Sequence, residues 1–232
     1  MPTFEQFFPF LKLGLTRNPF GVLSIEEWVQ VTVIPPIIHQ LLDEGFQHLE
    51  IISDKGRGKS TMLHWLCHHY RAQGETVAYE RLPMYHINYH TDIAPLSVFA
   101  LDEAQRLLFW NRWRLLRQSE GKRLIIGTHR SLARDFSRHG WQLTTVHIGN
   151  HTDRAHIQHI IDRRLMIFAA EQGTKIVFDA SAMDYLWDGW RDNLRGMEYF
   201  LYHILQKCDE PGTITADFIQ SAGRDYIEPA GL

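Results

Sequence analysis

The sequence has only two cysteines, Cys67 and Cys208, among its 232 residues, and no long uninterrupted run of apolar residues. Two widely separated cysteines are too few for a disulfide framework and fit a reducing compartment. A transmembrane helix would need about 18 consecutive apolar residues, so membrane insertion is not expected. The aromatic N-terminus carries Glu5 and Lys12 and lacks the form of a signal peptide, which predicts a cytoplasmic protein.

An excess of either charge is also absent. The chain has 24 Lys and Arg residues against 27 Asp and Glu residues, a formal net charge of -3. This balance excludes a protein that coats nucleic acid through its overall basicity, but it leaves room for a local basic patch. The apolar content of 44% is typical of a globular protein, and neither repeats nor low-complexity tracts interrupt the chain.

Short apolar segments alternate with helical patterns up to about residue 150. The predicted strands are His48–Ile52, Thr76–Tyr79, Leu96–Leu101, Arg123–Ile126 and Leu143–Ile148. The predicted core helices are Ile37–Gly45, Ser60–Ala72, Glu103–Gln118 and Ser131–Arg138. Apolar strands separated by helices are typical of a parallel sheet with both faces covered, so an α/β fold with a five-stranded parallel sheet is predicted.

The rest of the chain predicts a small all-α domain. Apolar residues recur at helical spacing in two stretches, Ile157–Phe168 and Leu194–Leu205, and a third helix is predicted over Ala216–Ser221. Trp187 and Trp190 are interpreted as packing residues. We therefore predict an α/β core with its aromatic lead-in at residues 1–150 and a helical lid at 151–232.

The strongest motif follows the first predicted strand of the sheet. Its residues are Ser53, Asp54, Lys55, Gly56, Arg57, Gly58, Lys59, Ser60 and Thr61. Apart from Ser53 at the first glycine position, they match the phosphate-binding P-loop pattern G-x-x-x-x-G-K-[ST]. The glycines let backbone N–H groups turn toward the phosphates of ATP, Lys59 would reach the β- and γ-phosphates, and Ser60 would bind Mg²⁺. The alternative is a coincidental Gly/Lys loop.

Two further strand ends carry polar residues. Asp102 and Glu103 follow an apolar strand, where Asp102 could hold Mg²⁺ through water and Glu103 could polarise an attacking water molecule. The alternative is an acidic pair that favours a helix N-terminus. Thr128 ends the next strand and could contact the γ-phosphate or the lytic water, or it could simply lie in a Gly/Thr turn.

The order of these features in the chain resembles that of the AAA+ ATPases. The features are a P-loop, a strand ending in Asp-Glu, a strand with a polar end and a helical lid. Asn18-Pro19-Phe20 and Asp102-Glu103-Ala104-Gln105 look most like one branch, which includes the general secretion ATPase A family, the transposition target-selection ATPases and the origin-recognition ATPases. The resemblance extends from about Leu13 to Gln206.

The resemblance implies further roles. Asp102 and Glu103 match the Walker B pair and Thr128 matches sensor 1, while Arg195, in Asn193-Leu194-Arg195, matches sensor 2 and would reach the γ-phosphate. Arg138, or alternatively Arg134, matches the arginine finger that completes a neighbour's site. All three arginines could instead be ordinary surface residues.

Lys59 and Asp102 are closer in sequence than is usual in this superfamily, which predicts a reduced second core helix within the loop Pro83–Pro95. The aromatic and histidine residues of this loop could stack on bases or pack on the core. The histidine clusters at residues 64–69 and 151–159 lack a complete ligand set, so zinc is not expected.

These features predict an enzyme that hydrolyses ATP with Mg²⁺. They also fit a slower assembly switch that forms a homo-oligomer through nucleotide-bridged interfaces and docks a protein partner. A nucleic-acid binder controlled by ATP is the alternative, with DNA or RNA as a further partner. A small-molecule kinase is disfavoured because the lid follows the core and does not interrupt it.

Overall fold

The computed structural model describes residues 8–224 and 226; Phe4 and Phe7 of the aromatic lead-in lie outside this range. The described residues form two compact units. One unit is Ile34–His151, and the other combines the residues before Ile34 with those after His151.

The described α-helices, in chain order, are α1 Ile25–Val31, α2 Pro36–Glu44, α3 Lys59–Ala72, α4 Phe109–Gln118, α5 Ala133–Ser137, α6 Arg154–Ile167, α7 Ala180–Trp190, α8 Leu194–Gln206 and α9 Ala216–Gly223. The described strands are β1 His48–Ile52, β2 Val77–Arg81, β3 Val98–Asp102, β4 Arg123–Thr128, β5 Thr144–His147, β6 Ile176–Phe178 and β7 Gly212–Ile214. Within the range that the structure describes, none of these helices has the length and apolarity that a membrane span requires.

The unit Ile34–His151 is built on a five-stranded sheet with the order β2-β3-β4-β1-β5. All of its pairings are parallel, which confirms the predicted α/β fold. Since parallel strands point the same way, the residues that follow β1, β3 and β4 meet at one edge of the sheet. The P-loop motif, Asp102-Glu103 and Thr128 all occur at these strand ends.

The central strands are buried on both faces, as their apolar sequences predict. On one face, Leu49 and Ile51 of β1 pack with Leu63 and Leu66 of α3. On the other face, the core includes apolar residues of β3 and β4 together with those of α4 and α5. Helix α3 therefore starts at the sheet edge where β1 ends, and its first turn lies beside the site.

The predicted helix Glu103–Gln118 is divided in the structure. Glu103 has a left-handed conformation with φ 63°, and a short 3₁₀ turn, Ala104–Arg106, follows it. Leu107 and Leu108 are extended, so α4 begins only at Phe109. A left-handed residue cannot continue a right-handed helix, which explains why the prediction was too long.

The lead-in differs from the sequence-based domain division, because it belongs to the same unit as the C-terminal helices. Leu13, Leu15 and Phe20 are buried in one core with apolar residues of α6 and α8. The backbone N–H and the side-chain hydroxyl of Thr16 both donate hydrogen bonds to the carbonyl oxygen of Phe168. These three residues of the lead-in thus pack against elements about 150 positions away, a pairing that no local pattern could reveal.

The same unit also contains a small sheet that the all-α prediction did not include. Strands β6 and β7 pair in parallel, with Ile176 and Phe178 buried on one side and Val177 exposed. Helix α7 was also missed, although Asp179 caps it by accepting a hydrogen bond from the backbone N–H of Ala182. Trp190 stacks on Phe200, with ring centroids 4.3 Å apart, as expected of a packing residue.

Gly14 provides a test of the packing between the lead-in and the C-terminal segment. It has φ +72°, and a Cβ atom placed there would lie 2.2 Å from the carbonyl oxygen of Gly173. We expect Gly14→Ala to lower the free energy of unfolding by about 2 kcal/mol more than Gly173→Ala, because overpacking adds to the backbone cost. Gly173 is the matched control, since its φ is +79° and its surroundings are open.

Urea unfolding of the two variants measures the difference. Equal losses of stability would mean that Gly14 does not contact this segment closely.

Candidate functional site

The P-loop motif connects the end of β1 to the start of α3. Gly56 and Gly58 have φ values of +88° and +86°, conformations that glycine adopts without strain. The first-turn amides of α3, at Lys59, Ser60 and Thr61, lack acceptors within the helix and can bind an anion. Ser53 is buried, and its hydroxyl has no hydrogen-bond partner among the described residues. An unpaired buried hydroxyl at the start of the loop fits a phosphate group as its partner.

Lys59 lies at the centre of the site. Its side chain is only 5% exposed, and its ammonium nitrogen is 3.2 Å from Oδ1 of Asp102 and 3.3 Å from Oε1 of Glu103. Two neighbouring buried carboxylates repel each other and are poorly solvated, so the shared cation stabilises both. The structure thus brings together the three residues on which the predicted chemistry most depends.

Asp102 is completely buried at the end of β3 and has a full set of partners. The Ser60 hydroxyl donates to its Oδ2 at 2.5 Å, and the backbone N–H of Glu103 donates to its Oδ1 at 2.9 Å. Tyr79 of the neighbouring strand β2 also donates to Oδ2, at 3.3 Å. Burial alone would raise the pKa of Asp102, but the Lys59 ammonium and these hydrogen bonds hold that pKa below its usual value.

Room for Asp102 comes from a glycine on the neighbouring strand. A Cβ atom at Gly127 would lie 2.6 Å from Oδ1 of Asp102 and 3.2 Å from Cγ of Lys59. Any larger residue would displace the carboxylate or the lysine. The Ser60 hydroxyl and the Asp102 carboxylate are hard oxygen ligands of the kind that suits Mg²⁺.

Glu103 is buried beside them and has four polar contacts. Gln105 donates to Oε2 at 2.7 Å, and the Arg106 guanidinium is 3.0 Å from the same oxygen. His129 Nε2 is 3.3 Å from Oε1, the oxygen that also faces Lys59. Burial opposes ionisation, yet these cations and Gln105, with Lys59 first among them, keep the pKa of Glu103 below its usual value.

His129 is a residue that the sequence analysis missed. Its Nδ1 lies 2.8 Å from the carbonyl oxygen of Ser53, so the ring links the P-loop to Glu103. The signal that could have revealed His129 is its position after β4, at the edge where the other site residues gather.

Thr128, the predicted sensor 1 residue, lies at the end of β4. Its side chain points to the opposite face of the sheet from Gly127, because neighbouring residues of a strand alternate. The Thr128 hydroxyl donates to Oε1 of Glu50 at 3.5 Å and does not contact Lys59, Asp102 or Glu103 in the described range. The polar residue that reaches the site from the end of β4 is therefore His129.

Glu50 is a fully buried carboxylate in the middle of β1. It accepts hydrogen bonds from the backbone N–H of Leu132 at 2.6 Å, the Ser131 hydroxyl at 2.9 Å and the Thr145 hydroxyl at 3.0 Å. A buried charge of this kind is stable only when its oxygens are satisfied. Glu50 thereby fastens the segment after β4, which carries His129, to β1 and β5.

The predicted arginines lie on the surface. Arg134 is exposed on α5, and Arg138, directly after α5, has a side chain that is 68% exposed and 3.9 Å from Asp135. Within the P-loop, Lys55 is exposed and Arg57 pairs with Asp54 at 3.0 Å. Arg195 is exposed in the first turn of α8 and belongs to the other unit.

Comparison with known proteins gives likenesses of structure at low sequence identity. The domain III structure of the Thermotoga maritima replication initiation protein DnaA aligns with a TM-score of 0.59 at 16% identity, covering 90% of this chain and 100% of that domain. The replication initiator DnaA bound to AMPPCP and single-stranded DNA aligns with a TM-score of 0.53 at 15% identity, covering 79% of this chain. The Thermotoga maritima RuvB Holliday junction branch migration motor aligns with a TM-score of 0.55 at 14% identity, covering 87% of this chain and 68% of RuvB.

This chain spans only 65% of the length of that nucleotide-bound DnaA. No family model matches the sequence, and a search of curated proteins gives no match. At these sequence identities, structural similarity establishes the fold but not the activity. The chain thus has the fold shared by DnaA and RuvB, that of the AAA+ P-loop ATPases.

Proposed function

We propose that the protein binds ATP with Mg²⁺ at the P-loop, hydrolyses it, and uses the bound nucleotide to control assembly with itself and with a protein partner. The single observation that carries this proposal is the position of the Lys59 ammonium between Asp102 and Glu103, directly beside the P-loop. A structural ion pair would need one carboxylate, whereas phosphate and metal chemistry uses both.

The residues divide the work by their chemistry. Lys59 would leave the two carboxylates and contact the β- and γ-phosphates. The free amides of α3 and the unpaired Ser53 hydroxyl would donate hydrogen bonds to the remaining phosphate oxygens. Ser60 and Asp102 would hold Mg²⁺, which neutralises phosphate charge when it is bound. Glu103, relieved of Lys59, could then accept a proton from water.

His129 would keep Glu103 in place during this exchange. Its ring is anchored on the Ser53 carbonyl and does not depend on Lys59 for its position. Residues Arg134 and Arg138 are free to approach a neighbouring molecule from the exposed surface of α5 and the residue after it, and Arg195 is proposed to contact the γ-phosphate as sensor 2.

A phosphate-release assay tests hydrolysis. We expect the wild-type protein with Mg²⁺ and ATP to release phosphate, and Lys59→Ala to bind ATP about 10–100-fold more weakly, because charge-assisted hydrogen bonds to phosphate are lost. Lys55→Ala is the matched control, since Lys55 lies exposed in the same loop. Wild-type turnover no greater than that of Lys59→Ala, over a wide range of protein concentration, would contradict the proposal.

The same samples test the assembly switch. Light scattering should give a larger mass with AMPPCP than without nucleotide, and Arg138→Ala should reduce that increase. If the mass is the same with and without AMPPCP in every sample, the assembly switch is rejected, and only the proposal of ATP hydrolysis stands.

A further inference from the structure

Helix α4 presents an aromatic face to solvent. Phe109 is 57% exposed, Trp110 is 63% exposed and Trp113 is 42% exposed. The helical period places these rings on one side together with Arg114 and Arg117, while Asn111, Leu115 and Leu116 face the protein. Exposed tryptophans are costly in water, and here three aromatic rings are exposed within the first five residues of the helix.

The loop before β3 is joined to α4 by hydrogen bonds and also exposes apolar side chains. Its exposed residues include Met84, Tyr85 and Ile87, and Tyr85 is 91% exposed. The loop is fastened to α4, because Asn111 donates to the carbonyl oxygen of Ile87 at 2.7 Å and Arg114 donates to that of Tyr89 at 3.3 Å. We call Met84, Tyr85, Ile87, Phe109, Trp110, Trp113, Arg114 and Arg117 the aromatic–arginine surface.

The aromatic residues of this loop do not all pack on the core. Tyr89 is buried and packs on Phe99, with centroids 5.9 Å apart, whereas Tyr85 and His86 point outward. The loop therefore packs on the core through Tyr89 and leaves its other aromatic residues available to a partner.

Charge gives the surface its polarity. Neither Pro83–His90 nor Ala104–Ser119 contains an acidic residue, although acidic residues outnumber basic ones in the chain as a whole. Arg117 lies over the Trp113 ring at 4.8 Å, and Arg114 lies over the Tyr89 ring at 4.6 Å. Cations held above aromatic rings are preorganised for carboxylates, with little side-chain entropy left to lose.

We propose that the aromatic–arginine surface binds an acidic segment of a partner protein, with apolar anchors of that segment seated on the tryptophans. Trp, Tyr, Phe, Met and Arg are the residues enriched in protein interfaces, and Lys, Asp and Glu are depleted. The surface has this composition. Binding to it requires no nucleotide, so it can fail or succeed independently of the proposed ATPase activity.

Two other occupants fit less well. A single-stranded nucleic acid would use the rings for stacking, but a polyanion needs several phosphate contacts, and this surface offers only Arg114 and Arg117. Nearby Arg106 and Arg112 are paired with Glu103 and Asp135. A second copy that used the same face would bring arginines against arginines.

The test is a selection from a random 16-residue peptide library displayed on phage, with the wild-type chain of 232 residues as bait. Selected peptides are then synthesised and their binding is measured by fluorescence anisotropy, without nucleotide and with AMPPCP. The variants are Trp110→Ala with Trp113→Ala, and Arg117→Glu; Tyr199→Ala, which removes an aromatic residue 61% exposed elsewhere, is the control.

We expect the selected peptides to be net acidic and to carry apolar residues. They should bind the double tryptophan variant and Arg117→Glu at least tenfold more weakly than the wild type, and Tyr199→Ala as tightly as the wild type. Peptides without net negative charge, or peptides equally tight on the double variant, would overturn the proposal. The proposal would also be overturned if a 20-nucleotide oligothymidylate, and not the peptides, lost binding in the double tryptophan variant. A dimer seen by light scattering in the wild type and abolished in the double variant would likewise overturn it.

Discussion

Replacement of Glu103 by glutamine is expected to reduce the rate of ATP hydrolysis by about 10²–10⁴-fold, the usual contribution of a general base. Glutamine keeps the size of the side chain and can still accept hydrogen bonds from Gln105 and Arg106, which now bind Oε2 of Glu103. It cannot take a proton from water. Single-turnover phosphate release with saturating ATP measures this change directly.

ATP affinity should change much less than the rate. The side chain at position 103 loses its charge, but Asp102 and Ser60 keep the hydrogen bond that joins them at 2.5 Å. Glu120→Gln is the matched control, because Glu120 is exposed and lies after α4, away from the P-loop residues in sequence. Turnover of Glu103→Gln within fivefold of the wild type would exclude Glu103 as the base and leave it as a structural partner of Lys59.

The distinction matters because Glu103 is held in an unusual backbone conformation. Its φ of 63° is costly for a residue with a Cβ atom and persists only where the surroundings enforce it. Here Lys59, His129, Gln105 and Arg106 all contact its carboxylate. This geometry directs the side chain of Glu103 toward the P-loop, while the following turn and α4 proceed in another direction.

The sheet and the P-loop could be predicted because their signals are local. Each central strand is a short apolar run, and the observed β1 begins and ends where the pattern placed it, at His48 and Ile52. The glycine spacing and the position of Lys59 at the start of α3 depend on the same few residues. Burial on both faces then fixes the parallel sheet without detailed knowledge of the partners.

The site residues that the sequence did not reveal are defined by the face of a strand on which they lie or by contacts with residues far away in the sequence. Successive residues of β4 face opposite sides of the sheet, and the sequence does not say which of them face the P-loop. The close approach of Gly127 to Asp102 and Lys59 gives the answer, but only in the structure. Glu50 reads as a charged interruption of an apolar strand until Leu132 and Ser131 are seen to donate to it. Contacts of this kind join positions about 80 residues apart, so no window of sequence contains them.

His48 gives the second large effect, on stability in acid. It is 2% exposed at the start of β1, where its ring lies 4.4 Å from that of Trp141 and 6.3 Å from that of Phe136, centroid to centroid. Neither ring nitrogen has a hydrogen-bond partner among the described residues. Burial without a partner disfavours the charged form and lowers the pKa of His48 to about 4.

The sign of the pH effect follows from the two states. Above pH 6.5 the ring is neutral in both, so His48 adds no pH dependence. As the pH falls from 6.5 to 4, His48 becomes protonated in the unfolded chain but stays neutral in the folded chain. The free energy of unfolding therefore falls by about 3 kcal/mol. Below pH 4 both states are protonated at this position and the loss stops growing.

We therefore expect His48→Leu to be at least as stable as the wild type at pH 7.5, because it removes an unsatisfied N–H from the core. Its advantage over the wild type should grow by about 3 kcal/mol between pH 7 and pH 4. Urea unfolding at a series of pH values measures this difference, and the other titrating groups cancel because both proteins contain them. His147→Leu, at an exposed histidine, should follow the wild type throughout. Parallel pH profiles of His48→Leu and the wild type would mean that the ring reaches water or a partner in solution.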